Sequence, residues 1–215
     1  MINILLVDDH ELVRTGIRRI LEDVRGMKVI GEEESGEAAF QFCRSNKPDI
    51  VLMDMNMPGI GGIEATKKIS RYCPDVKVII LTMYAEDPFP TKVMQNGAQG
   101  FLAKTTSPDD LVNAIKQVNV GQRFISAEIA QQMALSQFNG VDSDKPFDAL
   151  SERELQIMMM ITKGEKVQDI ATQLNLSSKT VNSYRYRMFE KLNVCNDVEL
   201  THLAIRHGML DMEKL

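Results

Sequence analysis

Residues 50–62 read IVLMDMNMPGIGG, in which four apolar residues lead directly into Asp54 and a turn rich in proline and glycine follows. A short apolar run without polar interruption is typical of a parallel β-strand that is covered on both faces. The proline and glycines that follow indicate a sharp turn. The stretch therefore predicts a buried strand that ends by placing a carboxylate at the rim of a sheet.

Similar apolar runs recur through the first 120 residues. NILLVD ends at Asp8, VKVIILT ends at Thr82, GFLAK ends at Lys104, and KVIGE (28–32) is a weaker candidate. Helical patterns lie between the runs, and the last of them starts at Ser107 as N-cap with Pro108 in the first turn. Five β–α units in series predict an α/β fold with a doubly wound parallel sheet.

The alternation stops after residue 120. Residues 126–138 predict one further helix within a linker at residues 121–147, and NGVDSDKP within that linker has no periodicity and several helix breakers. From residue 148 to residue 215 the pattern is entirely helical. We therefore expect a first domain at residues 1–120 and a small all-α domain at residues 148–215.

Composition and charge narrow the class of protein. The net charge is −5 and the hydrophobic share is 44%, as expected for a globular protein, and no apolar run approaches the roughly 18 to 20 residues that span a bilayer. The N-terminus lacks the basic region of a signal peptide, and three widely spaced cysteines favour buried thiols. We expect a cytoplasmic protein. Residues 151–215 carry 9 basic and 9 acidic residues, so charge alone does not decide whether the chain binds nucleic acid.

The polar residues at the strand ends form one candidate site, because the carboxyl ends of parallel strands meet at the same sheet edge. A single aspartate at a strand end is ordinary turn chemistry, but Asp8, Asp9 and Asp54 together favour a hard cation such as Mg²⁺. A carboxylate beside that ion is suited to accept a phosphoryl group. Thr82 and Lys104 then supply a hydroxyl and an ammonium for the phosphate oxygens.

A second candidate site lies on the helix predicted from about residue 179 to residue 192, capped by Ser177 or Ser178. A short connection to the preceding helix is typical of a helix-turn-helix, whose second helix enters the DNA major groove. We expect Asn182 to contact a base, and Lys179 and Arg187 to contact phosphates; the alternative is a solvated basic helix face. The predicted DNA-binding residues are Lys179, Thr180, Asn182, Ser183, Tyr186 and Arg187.

The motifs LLVDDH, VLMDMNMPGIGG, VIILTMY and GAQGFLAK resemble the receiver domains of two-component signalling. The resemblance implies a flavodoxin-like fold for residues 1–120, with Asp54 as the phosphorylated residue. It implies Thr82 as the switch hydroxyl, Lys104 as the phosphate-binding lysine and Phe101 as the switch aromatic, without the hydroxyl of a tyrosine. The implied Mg²⁺ ligands are Asp8, Asp9, Asp54 and the backbone carbonyl of Asn56.

Residues 148–212 resemble the LuxR-type helix-turn-helix, carried by LSERELQIMMMITKG and DIATQLNLSSKTVNSYRYRMFEKLNV. A receiver followed by this domain is the order found in NarL/FixJ response regulators, and KTVNSYRYRMFEKL is most similar to the GacA/UvrY branch. The resemblance implies a BarA/GacS-like hybrid sensor histidine kinase as partner, and a homodimer on DNA when phosphorylated. Lys166 stands where relatives have a serine or threonine N-cap.

The resulting hypothesis is a phosphorylation-controlled transcription factor and not an enzyme with a separate substrate. One alternative is a phosphohydrolase with an aspartyl nucleophile, which would want a second carboxylate where Asn56 stands. Another is a constitutive DNA-binding protein whose first domain is only an interaction module. Turnover of a phosphomonoester would support the first alternative, and DNA affinity that does not depend on phosphorylation would support the second.

Overall fold

The structure, a computed structural model, divides the chain into two compact units, Met1–Phe138 and Asn139–Leu215. It describes residues 1–55, 57, 59–82, 89–127, 129–131, 146–174 and 176–207. Each unit is described separately below.

The first unit contains a parallel sheet. Its strands are β1 (Ile2–Val7), β2 (Met27–Glu33), β3 (Ile50–Asp54), β4 (Lys77–Thr82), β5 (Gly100–Ala103) and β6 (Phe124–Ile125). Their order is β2-β1-β3-β4-β5-β6 and every neighbouring pair is parallel. The order reverses between β1 and β3, which is the switch point where doubly wound sheets bind ligands. The doubly wound α/β fold is thus confirmed.

Five helices connect these strands. They are α1 (Glu11–Glu22), α2 (Gly36–Asn46), α3 (Gly61–Tyr72), α4 (Phe89–Gln95) and α5 (Pro108–Asn119). The predicted start of α5 is confirmed, because the Ser107 side chain accepts a hydrogen bond from the backbone N–H of Asp110 and Pro108 is the first helical residue. Such a cap satisfies one of the N–H groups that a helix leaves without a partner.

Helices cover both faces of the sheet. Alternate strand residues such as Ile4, Leu52 and Leu81 form one buried cluster with Leu21 of α1 and Ile115 of α5. The intervening strand residues point to the opposite face because side chains alternate along a strand, and α2 and α3 pack against each other. All five residues of β3 are buried, as the continuous apolar run predicts.

The connection after α5 differs in part from the sequence expectation. Phe124 and Ile125 form β6 opposite Gly100 and Phe101, where no strand was predicted. A strand of two residues is too short to show a periodic pattern, so the local sequence does not indicate this pairing. Of the predicted helix at 126–138, residues 127 and 129–131 are helical and residue 126 is not, and residues 128 and 132–138 lie outside the described residues.

The second unit is helical throughout its described part. After a 3₁₀ turn at Pro146–Ala149 come α6 (Glu152–Thr162), α7 (Val167–Gln173), α8 (Ser178–Leu192) and α9 (Asp197–Arg206). Ser151 and Glu154 form a capping box at the start of α6. Lys166 gives α7 no side-chain cap, in line with its departure from the family pattern. Helices α6 and α7 both pack on α8.

Two further observations concern membrane spans and cysteines. Among the described residues, no helix is both long and apolar enough to cross a bilayer. Cys43 is buried as expected, whereas Cys73 is half-buried and Cys195 is exposed, so the expectation of three buried thiols was wrong. Burial, followed by the charge on Cys73, raises the pKa of the Cys43 thiol to about 12.

Candidate functional site

The register of the sheet brings the predicted acidic residues to one edge. Val7 lies opposite Met53, so Asp8 follows β1 beside the position where Asp54 ends β3. Both aspartates are only 3% exposed. Ligand atoms from Asp8, Asp9, His10 and Asp54 lie within 4.8 Å of one another. The separate motifs thus converge on one acidic cluster, which consists of these four residues.

Lys104 reaches this cluster from the end of β5, with β4 between β5 and β3. Thr82 pairs with Ala103 in the sheet, so Lys104 follows β5 at the same edge. Its Nζ lies 2.6 Å from Asp8 Oδ2 and 3.0 Å from Asp54 Oδ1. Burial of the ammonium lowers the pKa of Lys104, but the charges of Asp54 and Asp8 outweigh it and the pKa is raised overall. The side chain is therefore a cation at neutral pH, placed between two carboxylates.

Two carboxylate oxygens in the cluster lack a hydrogen bond from the described residues. Asp8 Oδ2 and Asp9 Oδ1 are buried, and no described residue donates a hydrogen bond of normal geometry to either. Their contacts are ionic: Asp8 Oδ2 faces Lys104, and Asp9 Oδ1 lies 2.9 Å from His10 Nδ1. Buried carboxylates are costly unless paired or bound to a metal, and oxygen atoms are the ligands that Mg²⁺ prefers. The donor set therefore fits a hard divalent cation.

The other predicted receiver residues have different placements. Thr82 ends β4 and is fully buried beside the cluster. Phe101 is also fully buried, so its side chain points into the protein in this structure. Asn56, the predicted source of a backbone carbonyl for the metal, lies outside the described residues.

The turn after Asp54 depends on glycine. Gly59 and Gly61 adopt φ values of +80° and +71°, which glycine tolerates better than any other residue. Gly62 has another role, because a Cβ atom there would lie 2.0 Å from the backbone oxygen of Asp54. The N–H of Gly62 donates to the carbonyl of Met55 at 3.0 Å. The first turn of α3 therefore rests directly on the backbone that carries Asp54.

Arg14 contacts the backbone of the acidic cluster. We did not predict this contact from the sequence. Its guanidinium is buried, and Nη1 donates to the backbone oxygen of Asp8 at 2.6 Å. Its other nitrogens bind Glu32 and Glu34. Burial lowers the pKa of Arg14 but the two glutamates raise it overall. The available signal was the spacing of Arg14 three residues before Ile17, which places a cation on the apolar side of α1.

The predicted DNA-binding residues lie on one accessible side of α8. The cap is Ser177, whose Oγ accepts from the Thr180 N–H at 3.0 Å. Lys179, Ser183, Tyr186 and Arg187 are exposed, and Thr180 and Asn182 are partly exposed. Tyr186 is 67% exposed despite its size. We therefore find all six side chains accessible to a ligand on this helix.

Helix α8 carries four cations, which are Lys179, Arg185, Arg187 and Lys191. Arg185 binds Asp197 at the start of α9, with Nε to Oδ1 at 2.6 Å. Lys191 Nζ lies 2.6 Å from Oε2 of the buried Glu154. Two of the four cations are therefore held in ion pairs within the unit. Lys179 and Arg187 remain the exposed cations of the candidate DNA-binding side.

Glu154 joins α6 to α8, and this contact leads to a pH-dependent prediction. Its carboxylate accepts from the Ser151 N–H at 2.8 Å and pairs with Lys191. Burial raises the pKa of Glu154, but Lys191 and Ser151 lower it below 4.5 overall. A lowered folded pKa stabilises the unit above pH 4.5, and this stabilisation is lost as the pH falls through the folded pKa.

We expect Glu154→Gln to reduce the stability of the second unit by about 2 kcal/mol at neutral pH, because Lys191 and the Ser151 N–H lose a charged partner. The difference from wild type should shrink as the pH falls below 4.5. Urea titrations followed by the amide NMR signals of α6 and α8 measure both effects. Glu190→Gln on the exposed side of α8 is the matched control and should have little effect. Equal losses for the two variants would contradict the assigned role of Glu154.

Comparison with known protein families finds two matches, in separate parts of the chain. Residues 4–116 match the family described as the response regulator receiver domain. Residues 148–204 match the family described as bacterial regulatory proteins of the LuxR family. The acidic cluster lies in the first match, and α8 lies in the second.

Similar proteins extend over the full length. Response regulator UvrY of Escherichia coli K12 is 64% identical over 215 residues, covering 100% of this chain and 99% of UvrY. Response regulator GacA of Pseudomonas aeruginosa is 56% identical over 211 residues, covering 98% and 99%. Among solved structures, RcsB of Salmonella enterica serovar Typhimurium, bound to promoter P1flhDC with the phosphomimetic BeF₃⁻, is 28% identical with a TM-score of 0.65. This similarity covers 94% of this chain and 96% of RcsB.

Proposed function

Because the chain belongs to the two-component response regulators that carry a LuxR-type DNA-binding domain, we propose that phosphorylation of Asp54 controls its binding to specific promoter DNA. As a response regulator it is a transcription regulator and not a conventional enzyme. The observation that carries the proposal is the convergence of Asp8, Asp9, Asp54 and Lys104 at the switch point of the sheet. The donor of the phosphoryl group is a sensor histidine kinase of the BarA/GacS-like hybrid type.

The transfer takes place at the end of β3. A carboxylate oxygen of Asp54 attacks the phosphorus of the kinase phosphohistidine, a P–O bond forms, and the P–N bond breaks with its electron pair on the imidazole. Lys104 already lies 3.0 Å from Asp54 Oδ1, so its ammonium can follow the negative charge onto the phosphoryl oxygens. Burial of Asp54 limits access of water to the acyl phosphate, and slow hydrolysis of that bond resets the protein.

Asp8, Asp9 and Asp54, with the backbone carbonyl of Asn56, are the residues that would hold Mg²⁺. When bound, Mg²⁺ neutralises charge that would otherwise repel the incoming phosphoryl group. Arg14 holds the Asp8 carbonyl, so it fixes the backbone that aims this carboxylate. Three carboxylates near one lysine leave net negative charge in the cluster, which favours a divalent cation there.

Three residues, Thr82, Lys104 and Phe101, are proposed to change position when Asp54 is phosphorylated. We propose that Thr82 and Lys104 move toward the phosphoryl oxygens and that the inward position of Phe101 is stabilised behind them. Since Phe101 is buried in this structure, the proposal requires an outward position that phosphorylation disfavours. Domains at residues 1–120 and 148–215, joined by a linker at 121–147, then form a DNA-binding homodimer in the cytoplasm.

DNA binding by the full-length protein tests this function. Duplexes are selected from a random-sequence pool with beryllofluoride-treated protein and Mg²⁺, and the affinity is then measured with and without that treatment over a salt series. We expect treatment to raise the affinity and to convert monomers to dimers in sedimentation experiments. An affinity and a mass that do not change would contradict the proposal and would favour constitutive DNA binding.

The ion pairs of α8 allow a matched test of the DNA contacts. We expect Lys179→Ala to weaken binding to all sequences and to reduce the salt slope by about 1, because one phosphate contact is lost. Lys191→Ala removes the same charge from the same helix, but its partner is Glu154, so it should lower stability and leave the slope unchanged. Asn182→Ala should relax base preference at one position. Equal slopes for the two lysine variants would contradict the proposed orientation of α8.

A further inference from the structure

His10 is the one member of the acidic cluster that has no role in the proposed function. Its Nδ1 is 2.9 Å from Asp9 Oδ1 and 3.2 Å from Asp8 Oδ1. The backbone N–H of His10 donates to the same Asp8 oxygen at 2.9 Å. The imidazole is otherwise accessible, with 67% of the side chain exposed. The hydrogen bond from the His10 backbone to Asp8 therefore holds the ring beside the carboxylates, although most of the side chain is exposed.

The two separations from Nδ1 to the carboxylate oxygens suit neighbouring ligands on one metal ion. Two ligands at right angles, each about 2.1 Å from a metal, are separated by about 3.0 Å. The measured separations of 2.9 and 3.2 Å fall at this value. A nitrogen carries at most one proton, so a hydrogen bond from Nδ1 would have to be shared between two carboxylates. A single cation would satisfy all three atoms.

The two carboxylate oxygens of Asp8 face different partners. Its Oδ1 faces His10, whereas its Oδ2 faces Lys104 at 2.6 Å. The ammonium therefore approaches Asp8 through a different oxygen from the one that faces the imidazole. A metal ion held by Asp8 Oδ1, Asp9 Oδ1 and His10 Nδ1 is compatible with the Lys104 contact.

We propose that His10 is a nitrogen ligand of the receiver metal site, and that the site therefore binds divalent transition ions such as Co²⁺ and Mn²⁺ more tightly than its carboxylates alone would. Imidazole favours transition metals, whereas Mg²⁺ prefers oxygen ligands. This inference rests on the proposed function, because both use the carboxylates of Asp8, Asp9 and Asp54. It adds metal selectivity, which the phosphoryl transfer itself does not require.

Calorimetric titration of the full-length protein at one pH tests the inference with Mg²⁺, Mn²⁺ and Co²⁺ as probes. His10→Ala should lower Co²⁺ affinity by about tenfold or more, as expected for loss of a metal contact. Mg²⁺ affinity should change by less than about twofold because its oxygen ligands remain. His202→Ala removes another exposed imidazole, on α9, and is the matched control that should change neither affinity.

A second measurement needs no variant. Pulsed EPR of the Mn²⁺-loaded wild-type protein should show hyperfine coupling to a directly bound nitrogen, and His10→Ala should abolish that coupling. Equal loss of Mg²⁺ and Co²⁺ affinity in His10→Ala, or an Mn²⁺ spectrum without nitrogen coupling, would overturn the inference and leave His10 as a hydrogen-bonding partner of the carboxylates. Wild-type protein that binds none of the three ions would instead contradict the metal site of the proposed function.

Discussion

Replacing Asp54 with asparagine is expected to abolish incorporation of phosphate from labelled acetyl phosphate. An amide oxygen is not an effective nucleophile, and the variant also loses one of the two carboxylates that contact Lys104. The label on the wild-type protein should be released by hydroxylamine, as expected for an acyl phosphate. Labelling is measured on intact protein by mass spectrometry at fixed Mg²⁺ concentration.

Asp49→Asn is the matched control for this experiment. Asp49 precedes β3 and therefore lies at the opposite end of the strand that Asp54 terminates. Its Oδ2 accepts a hydrogen bond from the Asn3 N–H at 2.7 Å, and the oxygen of an asparagine can accept the same bond. The control should therefore fold and label normally. Undiminished labelling of Asp54→Asn would eliminate Asp54 as the phosphorylation site.

Gly62→Ala is the second substitution for which we expect a large effect. The added methyl group would lie 2.0 Å from the Asp54 carbonyl oxygen and 2.9 Å from Met55 Cα. Both neighbours are backbone atoms of a buried strand end, so neither can move without displacing the acidic cluster. We expect a loss of about 3 kcal/mol, at the upper end of typical overpacking costs, together with weaker metal binding and slower phosphorylation.

Gly16→Ala makes the same chemical change at a position without this constraint. Gly16 lies on the exposed side of α1, and no atom within 4 Å would meet its Cβ. Alanine is preferred to glycine inside a helix, so this variant should be more stable by about 0.5–1 kcal/mol. Thermal unfolding of both variants followed by circular dichroism measures the two effects. Shifts of the same sign would contradict the steric role of Gly62.

The fold was predictable where the pattern of apolar residues and the capping residues nearby determine the structure. A continuous apolar run ending in Asp54 has few alternatives to a buried parallel strand, and Ser107, Ser151 and Ser177 each cap a helix through groups three residues away. The convergence of Asp8 and Asp54 follows from parallel register alone. These features required no knowledge of distant contacts.

The features that were missed depend on distant contacts. Lys191 and Glu154 are 37 residues apart, and nothing in either local sequence indicates that a lysine on the predicted DNA-binding helix binds a carboxylate on another helix. Arg14 was missed because its partners lie on β2 and in the loops, although its spacing relative to Ile17 was available. The strand β6 is only two residues long and forms through pairing with β5.

The ion pairs of Arg185 and Lys191 have a consequence for how the protein searches the chromosome. With two of the four cations of α8 engaged internally and a chain of net charge −5, one copy has little nonspecific attraction for duplex DNA. A genome offers about 10⁶–10⁹ competing nonspecific binding sites to a DNA-binding protein. Weak binding to those nonspecific sites leaves unphosphorylated molecules free in solution, where they can bind the kinase. Under the dimerisation proposed above, occupancy of a promoter is expected to follow the concentration of dimers instead of the total number of copies.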